Sequence, residues 1–241
     1  MQHSHYATLY HYELDHWWYR TRRELVHEMI RTYHKDISTL SIADIGCGTG
    51  ALTKELTQYG SCIGIDVSTE AIEFCRSRGI RDLQIGSAEN TGCGNDSFDV
   101  VVCLDVLEHL KDDSRGIQEI KRILKPDGIA IIFVPAFLFL WSVTDEVSHH
   151  YRRYRLPEIR SKFTEENLMP LRQTYFNTLL FPLIAGIRLL VRLLRLHPKT
   201  ETETGHGIVN MFLFRIFSLE RIILRRMNFP FGVSIMLIVK K

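Results

Sequence analysis

The chain is poor in the residues that signal covalent or metal cross-links: 241 residues include 5 cysteines, and no two of them form a CxxC pair. That excludes a zinc ribbon or a thioredoxin-like redox centre. No signal-peptide pattern is evident, so Cys47, Cys62, Cys75, Cys93 and Cys103 are expected to be reduced thiols in the cytoplasm. Long uncharged runs are missing as well. The longest, residues 173–187, is interrupted by Pro182 and Gly186 and closed by Arg188, short of the ~20 residues a membrane span needs. Neither sign of charge is in excess: 30 basic against 28 acidic residues leave a net +2, which gives no reason to expect nucleic acid. Apolar residues make up 45% of the chain, enough for a sizeable core.

Glycine is concentrated in one informative place, Ser41-Ile42-Ala43-Asp44-Ile45-Gly46-Cys47-Gly48-Thr49-Gly50. An apolar strand-like run ends in three glycines spaced two apart, and Ala51 to Leu56 then starts a helical pattern. Strand, glycine turn and helix make a nucleotide-cradling element, because glycine bends sharply and lets a ligand approach the backbone. Gly46-x-Gly48-x-x-Ala51 also satisfies the looser dinucleotide fingerprint, so a nicotinamide-dependent oxidoreductase is the alternative from another class. Against it, Asp44 puts a carboxylate where a pyrophosphate would be repelled and a cationic ligand group welcomed. A second strand-like run, Cys62 to Asp66, ends in an acid suited to the two ribose hydroxyls of an adenosine.

Asp44-x-Gly46-x-Gly48-x-Gly50 followed by Gly64-Ile65-Asp66 resembles the class I S-adenosylmethionine-dependent methyltransferases. The resemblance extends to the methyltransferase type 11 and ubiquinone-pathway-like group through residues 175–182 and 230–234. It implies a doubly wound, Rossmann-like α/β fold whose seven-stranded sheet has an antiparallel last strand. S-adenosyl-L-methionine is the implied cofactor, with the glycine loop under its methionine part and Asp66, followed by Val67, at the ribose.

Residues 1–35 are aromatic, basic and histidine-rich. Leu14, Trp18, Leu25, Met29 and Ile30 are spaced for a buried helical stripe from about Glu13 to Tyr33, and His3, His5 and His11 read as a frayed, solvated end. Trp17-Trp18-Tyr19-Arg20-Thr21-Arg22 is similar to a run on the family's lid helix, which implies Trp18 and Arg22 at the methionine end of the cofactor. They are four apart and share a face.

Ser68 is a good N-cap for a helix over 70–77, and Leu83-Gln84-Ile85-Gly86 reads as the third strand. Ser87-Ala88-Glu89 stands where the family has Asp-Ala-Glu at the adenine, so Ser87 replaces the usual acid. Phe98 to Cys103 is a buried strand, and Leu104-Asp105-Val106-Leu107-Glu108-His109-Leu110 is expected to open the next helix, with Leu104 and Asp105 nearest the reacting methyl. Lys125-Pro126-Asp127-Gly128 reads as a tight turn before a strand over 129–134.

Beyond that strand, Trp141, Asp145, His149, His150, Tyr151, Arg152, Arg153 and Tyr154 crowd into one loop expected to overhang the cofactor. Histidine titrates near neutrality and suits a base, so His149 and His150, with Tyr154, are the catalytic candidates. Trp141, Arg152 and Arg153 are the substrate-binding candidates, since arginine forks fit carboxylate or phosphate. No metal is expected, because adjacent histidines rarely reach one centre.

A helix over 157–166 and a strand over 171–175 follow, and residues 232–239 form the closing strand. Between those strands lies a helical insertion. Arg188, Arg192 and Arg195 fall on one stripe of an otherwise apolar helix over 183–196, a loop spans 197–207, and residues 209–227 are apolar nearly all round. The expected organisation is one methyltransferase domain over 1–241: a helical lid over 1–35, a core over 36–175 plus 230–241, and a cap over 176–229. The expected activity is methyl transfer to a small-molecule or lipid- or isoprenoid-like acceptor, with a protein or nucleic-acid methyltransferase as the alternative within the class. Residues 179–227 are expected to meet the acceptor, the inner face of a membrane or a second copy of the chain.

Overall fold

The computed structural model describes residues 3–194 and 207–241. Arg195 and most of the 197–207 loop lie outside the described residues, as do the side chains of His3 and His5.

Seven strands form one sheet: β1 (Leu40–Ile45), β2 (Gly60–Asp66), β3 (Leu83–Ile85), β4 (Phe98–Leu104), β5 (Leu124–Pro135), β6 (Met169–Phe176) and β7 (Ser234–Lys240). Their order is β3-β2-β1-β4-β5-β7-β6. The first five are parallel, and β7 runs antiparallel between β5 and β6. The central strands are apolar on both faces because both faces are covered: Val100, Val101, Val102 and Cys103 are all fully buried. The reversal of strand order between β1 and β4 sets the ligand crevice beyond the carboxyl ends of those strands.

The helices are α1 (His3–Asp15), α2 (Trp17–Tyr33), α3 (Ala51–Leu56), α4 (Thr69–Ser77), α5 (Asp113–Ile123), α6 (Val143–Val147), α7 (Leu156–Glu165), α8 (Phe181–Leu193) and α9 (Gly207–Leu224). Ser68 caps α4, its hydroxyl accepting from the Ala71 N–H at 3.3 Å. Leu25, Met29 and Ile30 of α2 are buried as their spacing predicts, whereas Leu14 lies on α1 and is exposed.

Three segments differ from the sequence expectation. The amino terminus is not a frayed end: residues 3–15 form a helix, separated from α2 by extended His16, whose side chain accepts from the Trp18 N–H. Leu104 to Leu110 is not the start of a long helix but a loop with one 3-10 turn at 107–109, and α5 begins at Asp113. Residues 125–128 are not a free turn. They sit inside β5 as an irregularity in its pairing with β4, with Asp127 at φ 67.

The insertion also departs from a simple basic amphipathic helix. Arg188 is half-buried and donates to the Leu140 carbonyl at 2.8 Å, while the leucines of α8 face outward. α9 packs along α2: Phe217 lies against Trp17 and Trp18, and Arg221 pairs with Glu24 and Glu28.

Candidate cofactor and acceptor site

The glycine loop leaves β1 in left-handed backbone, with φ 72 at Gly46 and 55 at Gly48. A Cβ on Gly46 would meet Val106 Cγ2 at 2.4 Å, whereas one on Gly48 would meet only Leu9 Cδ2 of α1, at 3.7 Å. Gly48 therefore presents bare backbone to the cleft, and Gly46 is closed by packing. Gly50, at the amino end of α3, completes the turn. Asp66 reaches across from β2, its Oδ2 accepting the Gly48 N–H at 3.0 Å and its Oδ1 the Ser68 N–H at 2.9 Å. Burial raises its carboxyl above the ordinary range even though these N–H groups act in the other direction.

Asp44 is buried beneath the loop, accepting from Thr53 Oγ1 at 2.6 Å. Burial pushes its carboxyl up to about 7, and the nearby charges of Glu13 and Asp66 add to the rise. Ala88 is buried near the β3 tip, Ser87 is half-buried with its hydroxyl accepting from the Asn90 N–H, and Val67 and Glu89 are exposed.

On the other flank, Arg22 of α2 pairs with Asp105 at 2.6 Å beside partly buried Leu104. The Arg22 guanidinium lies 5.2 Å from the Trp18 ring centre and 5.6 Å from that of Phe133. Trp18 in turn stacks on Phe176 and Phe217. The buried Arg22 Nε has no hydrogen-bond partner. An unused donor on a buried cation, an acid on each strand tip and an unobstructed glycine backbone fit an α-amino acid joined to a nucleoside.

α1 lies across this cleft. Tyr6 is buried and hydrogen-bonds Ser68 beside Asp66. Glu13 accepts from Thr49 Oγ1 and pairs with Arg78 at 2.8 Å, while Arg78 also donates to the Thr49 and Tyr10 carbonyls. Grooves of about 170 and 230 Å³ open beside Leu14 and Glu55, where α1 meets α2 and α3, and are lined by none of the candidate catalytic, cofactor-binding or substrate-binding residues.

The loop after β5 folds back on the loop after β4: the Tyr151 N–H donates to the Glu108 carbonyl at 2.8 Å. His150 Nδ1 lies 2.9 Å from Asp145 Oδ1, and Arg153 grips both oxygens of the same acid at 2.7 and 2.9 Å. Burial works to raise the Asp145 carboxyl, but the bonds from His150 and Arg153 and the arginine charge hold it well below the usual range. His150 packs edge-on against His109, ring centres 4.5 Å apart. Burial, and then the neighbouring His150, lower the His109 imidazole to about 4. Glu108 is fully buried, and neither of its carboxylate oxygens meets a donor of another residue. Burial and the charge of Asp105 push its carboxyl well above the ordinary value.

Glu108, His109 and His150 each place a donor atom within 4.8 Å of the others, a group able to pass a proton or to hold a cation. The sequence reading set Glu108 and His109 on the turn after Asp105 and gave them no part in the site. The available signal was an acid and an imidazole in the turn directly after β4.

The remaining loop residues are placed differently. His149 is exposed at φ 56, and Trp141 is half-buried. Tyr154 is fully buried, its hydroxyl donating to Asp113 Oδ2 at 2.9 Å. Arg152 donates to the Leu110 and Lys111 carbonyls and pairs with Asp113. Beside them, Phe137, at φ 54, stacks on Tyr175 with ring centres 4.9 Å apart and lies against Phe139 and Phe181.

The methyltransferase-domain family matches residues 43–132. The ubiquinone biosynthesis O-methyltransferase of Haemophilus ducreyi is 32% identical over 117 residues, 43% of this chain and 48% of that protein. That of Rickettsia typhi is 32% identical over 165 residues, 61% of this chain and 67% of that protein. The matches to the Haemophilus ducreyi enzyme and to its Rickettsia canadensis counterpart span about half of those proteins' length. An S-adenosylmethionine-dependent methyltransferase structure from Archaeoglobus fulgidus superposes with a TM-score of 0.57 at 18% identity, over 91% of this chain and 94% of that one, a likeness of fold. With the glycine loop and its two acids, Asp44 and Asp66, inside the family match, and a Rickettsia typhi relative 32% identical over 67% of its length, the chain belongs to the class I S-adenosylmethionine-dependent methyltransferases.

Proposed function

We propose that the chain methylates a hydroxyl group of a small, lipid- or isoprenoid-like acceptor held beyond the carboxyl ends of β4, β5 and β6. The observation that carries this reading is the His150–Asp145 pair, set beside His109 and Glu108 and tied to the loop that holds Asp105. S-adenosylmethionine, when bound, supplies an activated methyl on a sulfonium that leaves without help from an acid. The chain's own residues then have three tasks. Asp66 holds the ribose hydroxyls, and Arg22 offers its unused Nε to the methionine carboxylate. The aromatic side chains of Phe137, Tyr175 and Phe181 exclude water and orient the acceptor, and orientation of this kind accounts for ~7–11 kcal/mol of a barrier. His150, with Nδ1 fixed by Asp145, takes the hydroxyl proton on its other nitrogen.

The names of the relatives support an oxygen acceptor, and an oxygen acceptor has a proton to lose. The apolar insertion over 176–229 acts as the cap. A lipid-like acceptor also favours contact of residues 179–227 with a membrane, with a homodimer through the same segment as the alternative.

The test is incubation with S-adenosylmethionine and catechol-type rings carrying short isoprenoid tails, following S-adenosylhomocysteine release and the methylated product by mass spectrometry. Asp66→Ala is expected to weaken cofactor binding by ~1.5–3 kcal/mol, the range for hydrogen bonds to a charged group. Absence of turnover with every hydroxyl acceptor, alongside turnover of an amine or thiol, would discard the base assigned to His150.

A further inference from the structure

The insertion carries an apolar surface that the fold leaves uncovered. α8 is turned inside out relative to an ordinary surface helix. Its inner stripe of Phe181, Ile184 and Ala185 packs on Leu140 and Val233, while Arg188 reaches inward to the Leu140 carbonyl. Its outer stripe, Leu183, Ile187, Leu190 and Leu194, is spaced four, three and four apart, and all four are exposed; Leu193 beside it is 79% exposed. The amino-terminal half of α9 continues the pattern with Ile208, 80% exposed, and Phe212. Both stretches lie at the carboxyl end of the sheet: α8 starts beside Phe139, ring centres 6.3 Å apart, and Asn210 accepts from the Trp17 N–H near the cleft. Exposed apolar surface of this kind, on two helices at the same end of the sheet, marks a docking face.

Charge says what docks there. From Asn167 to Thr200 the sequence contains no Asp or Glu. The one acid of α9, Glu220, is fully buried and accepts from the Thr178 and Leu179 N–H groups. The exposed charges of both helices are therefore arginines, Arg192 and Arg215 among them. The described residues of the two helices thus turn cations and no carboxylate to solvent, which matches an anionic surface, whereas a twofold contact would set each arginine patch against itself. Glu201 and Glu203 of the linker lie outside the described residues. No described helix is long and apolar enough to cross a membrane, so the face can only lie on a bilayer, not traverse it.

We infer that α8 and the amino-terminal half of α9 form a docking face for an anionic phospholipid bilayer, leucines in the acyl boundary and arginines at the headgroups. The inference names the partner of the proposed enzyme and rests on that reading for its purpose, but lipid binding and methyl transfer are measured independently.

The experiment is co-sedimentation of the full chain with phosphatidylcholine vesicles, with and without phosphatidylglycerol. The bound fraction is expected to rise with phosphatidylglycerol and to fall with added salt. The double substitution Leu190→Glu plus Leu193→Glu should lower partitioning by roughly tenfold or more while leaving S-adenosylmethionine affinity, the control for folding, unchanged. Arg192→Ser plus Arg215→Ser alters only exposed cations and should weaken binding to the anionic vesicles alone, by ~5-fold for each arginine. Failure of the wild-type chain to sediment with anionic vesicles overturns the inference, as does sedimentation that neither double variant reduces. Sedimentation velocity showing a concentration-dependent mass without vesicle binding also overturns it, in favour of a contact between copies. Acceptor methylation that persists while vesicle binding fails rejects the docking face and leaves the methyltransferase reading standing.

Discussion

Arg22 and Asp105 are joined at 2.6 Å, tying the second amino-terminal helix to the loop that leaves the central strand β4. The guanidinium is buried and the carboxylate about one-third exposed, so the pair is neither a surface ornament nor a sealed interior bridge. Removing one partner strands the other in a partly desolvated place.

Arg22→Ala is accordingly expected to lower stability by ~2 kcal/mol and to weaken S-adenosylmethionine binding as well, since the same side chain carries the unused Nε. Arg22→Lys keeps the charge but not the fork and should fall between the two. Urea midpoints and calorimetry read the two effects separately. Wild-type values for both in Arg22→Ala would show that the contact does neither job.

The acceptor chemistry is exposed to test at His150. His150→Ala should reduce turnover by roughly 10²–10⁴-fold with cofactor affinity unchanged. Asp145→Asn should act in the same direction but also loosen the loop, because Arg153 loses its bidentate partner. If His150→Ala turns over normally, the nucleophile sheds its proton elsewhere.

Buried Asp44 and half-buried His109 give stability opposite dependences on pH. The folded His109 imidazole, at about 4, lies below the ordinary 6.5, so its contribution is full above 6.5 and is lost as pH falls to about 4. Asp44, raised from 3.8 to about 7, behaves the other way: its contribution is full below 3.8 and is lost as pH rises through 7. Asp44→Asn should therefore gain on the wild type by ~4 kcal/mol as pH climbs from 4 to 8, and His109→Gln should gain on it by ~2–3 kcal/mol as pH drops from 6.5 to 4. Chemical denaturation at several pH values checks both. Curves that stay parallel across that range would contradict the burial of these groups.

The glycine loop offers a graded comparison. Gly48→Ala should cost ~1–2 kcal/mol, the penalty for left-handed backbone, since its Cβ meets only Leu9 at ordinary distance. Gly46→Ala carries the same backbone penalty and a 2.4 Å clash with Val106, so it should be the more damaging in a thermal melt. The reverse ranking would mean that the loop relaxes away from Val106.

The sheet was legible because strands buried on both faces read as unbroken apolar runs, as at Val100 to Cys103. The family resemblance pointed to Asp66 through the glycine loop and the strand after it, and to Arg22 through the Trp17–Arg22 run. What could not be read depends on contacts distant in sequence. α1 lacks a pronounced apolar stripe and is held by Tyr6 and Glu13 against residues of the cleft itself, which periodicity does not report. His109 is an unremarkable turn residue until the loop after β5 delivers His150 onto it. In α8 the arginine stripe was read as the basic face of an interfacial amphipathic helix, but Arg188 turns inward, and with apolar stripes on both sides the sequence left open which one faces inward.

The place of β7 has a consequence for how the chain acquires its shape. The strand pairs with β5 on one side and β6 on the other, so the gap between them can be filled only after the whole insertion has left the ribosome. Strands β1 to β5 are nearest neighbours early in synthesis, and that half of the sheet can collapse first. Until β7 arrives, β5 presents an open edge. The slow, high-contact-order step is thus the one that seats the cap, and substitutions in β7 should be felt in folding yield before they are felt at the cofactor.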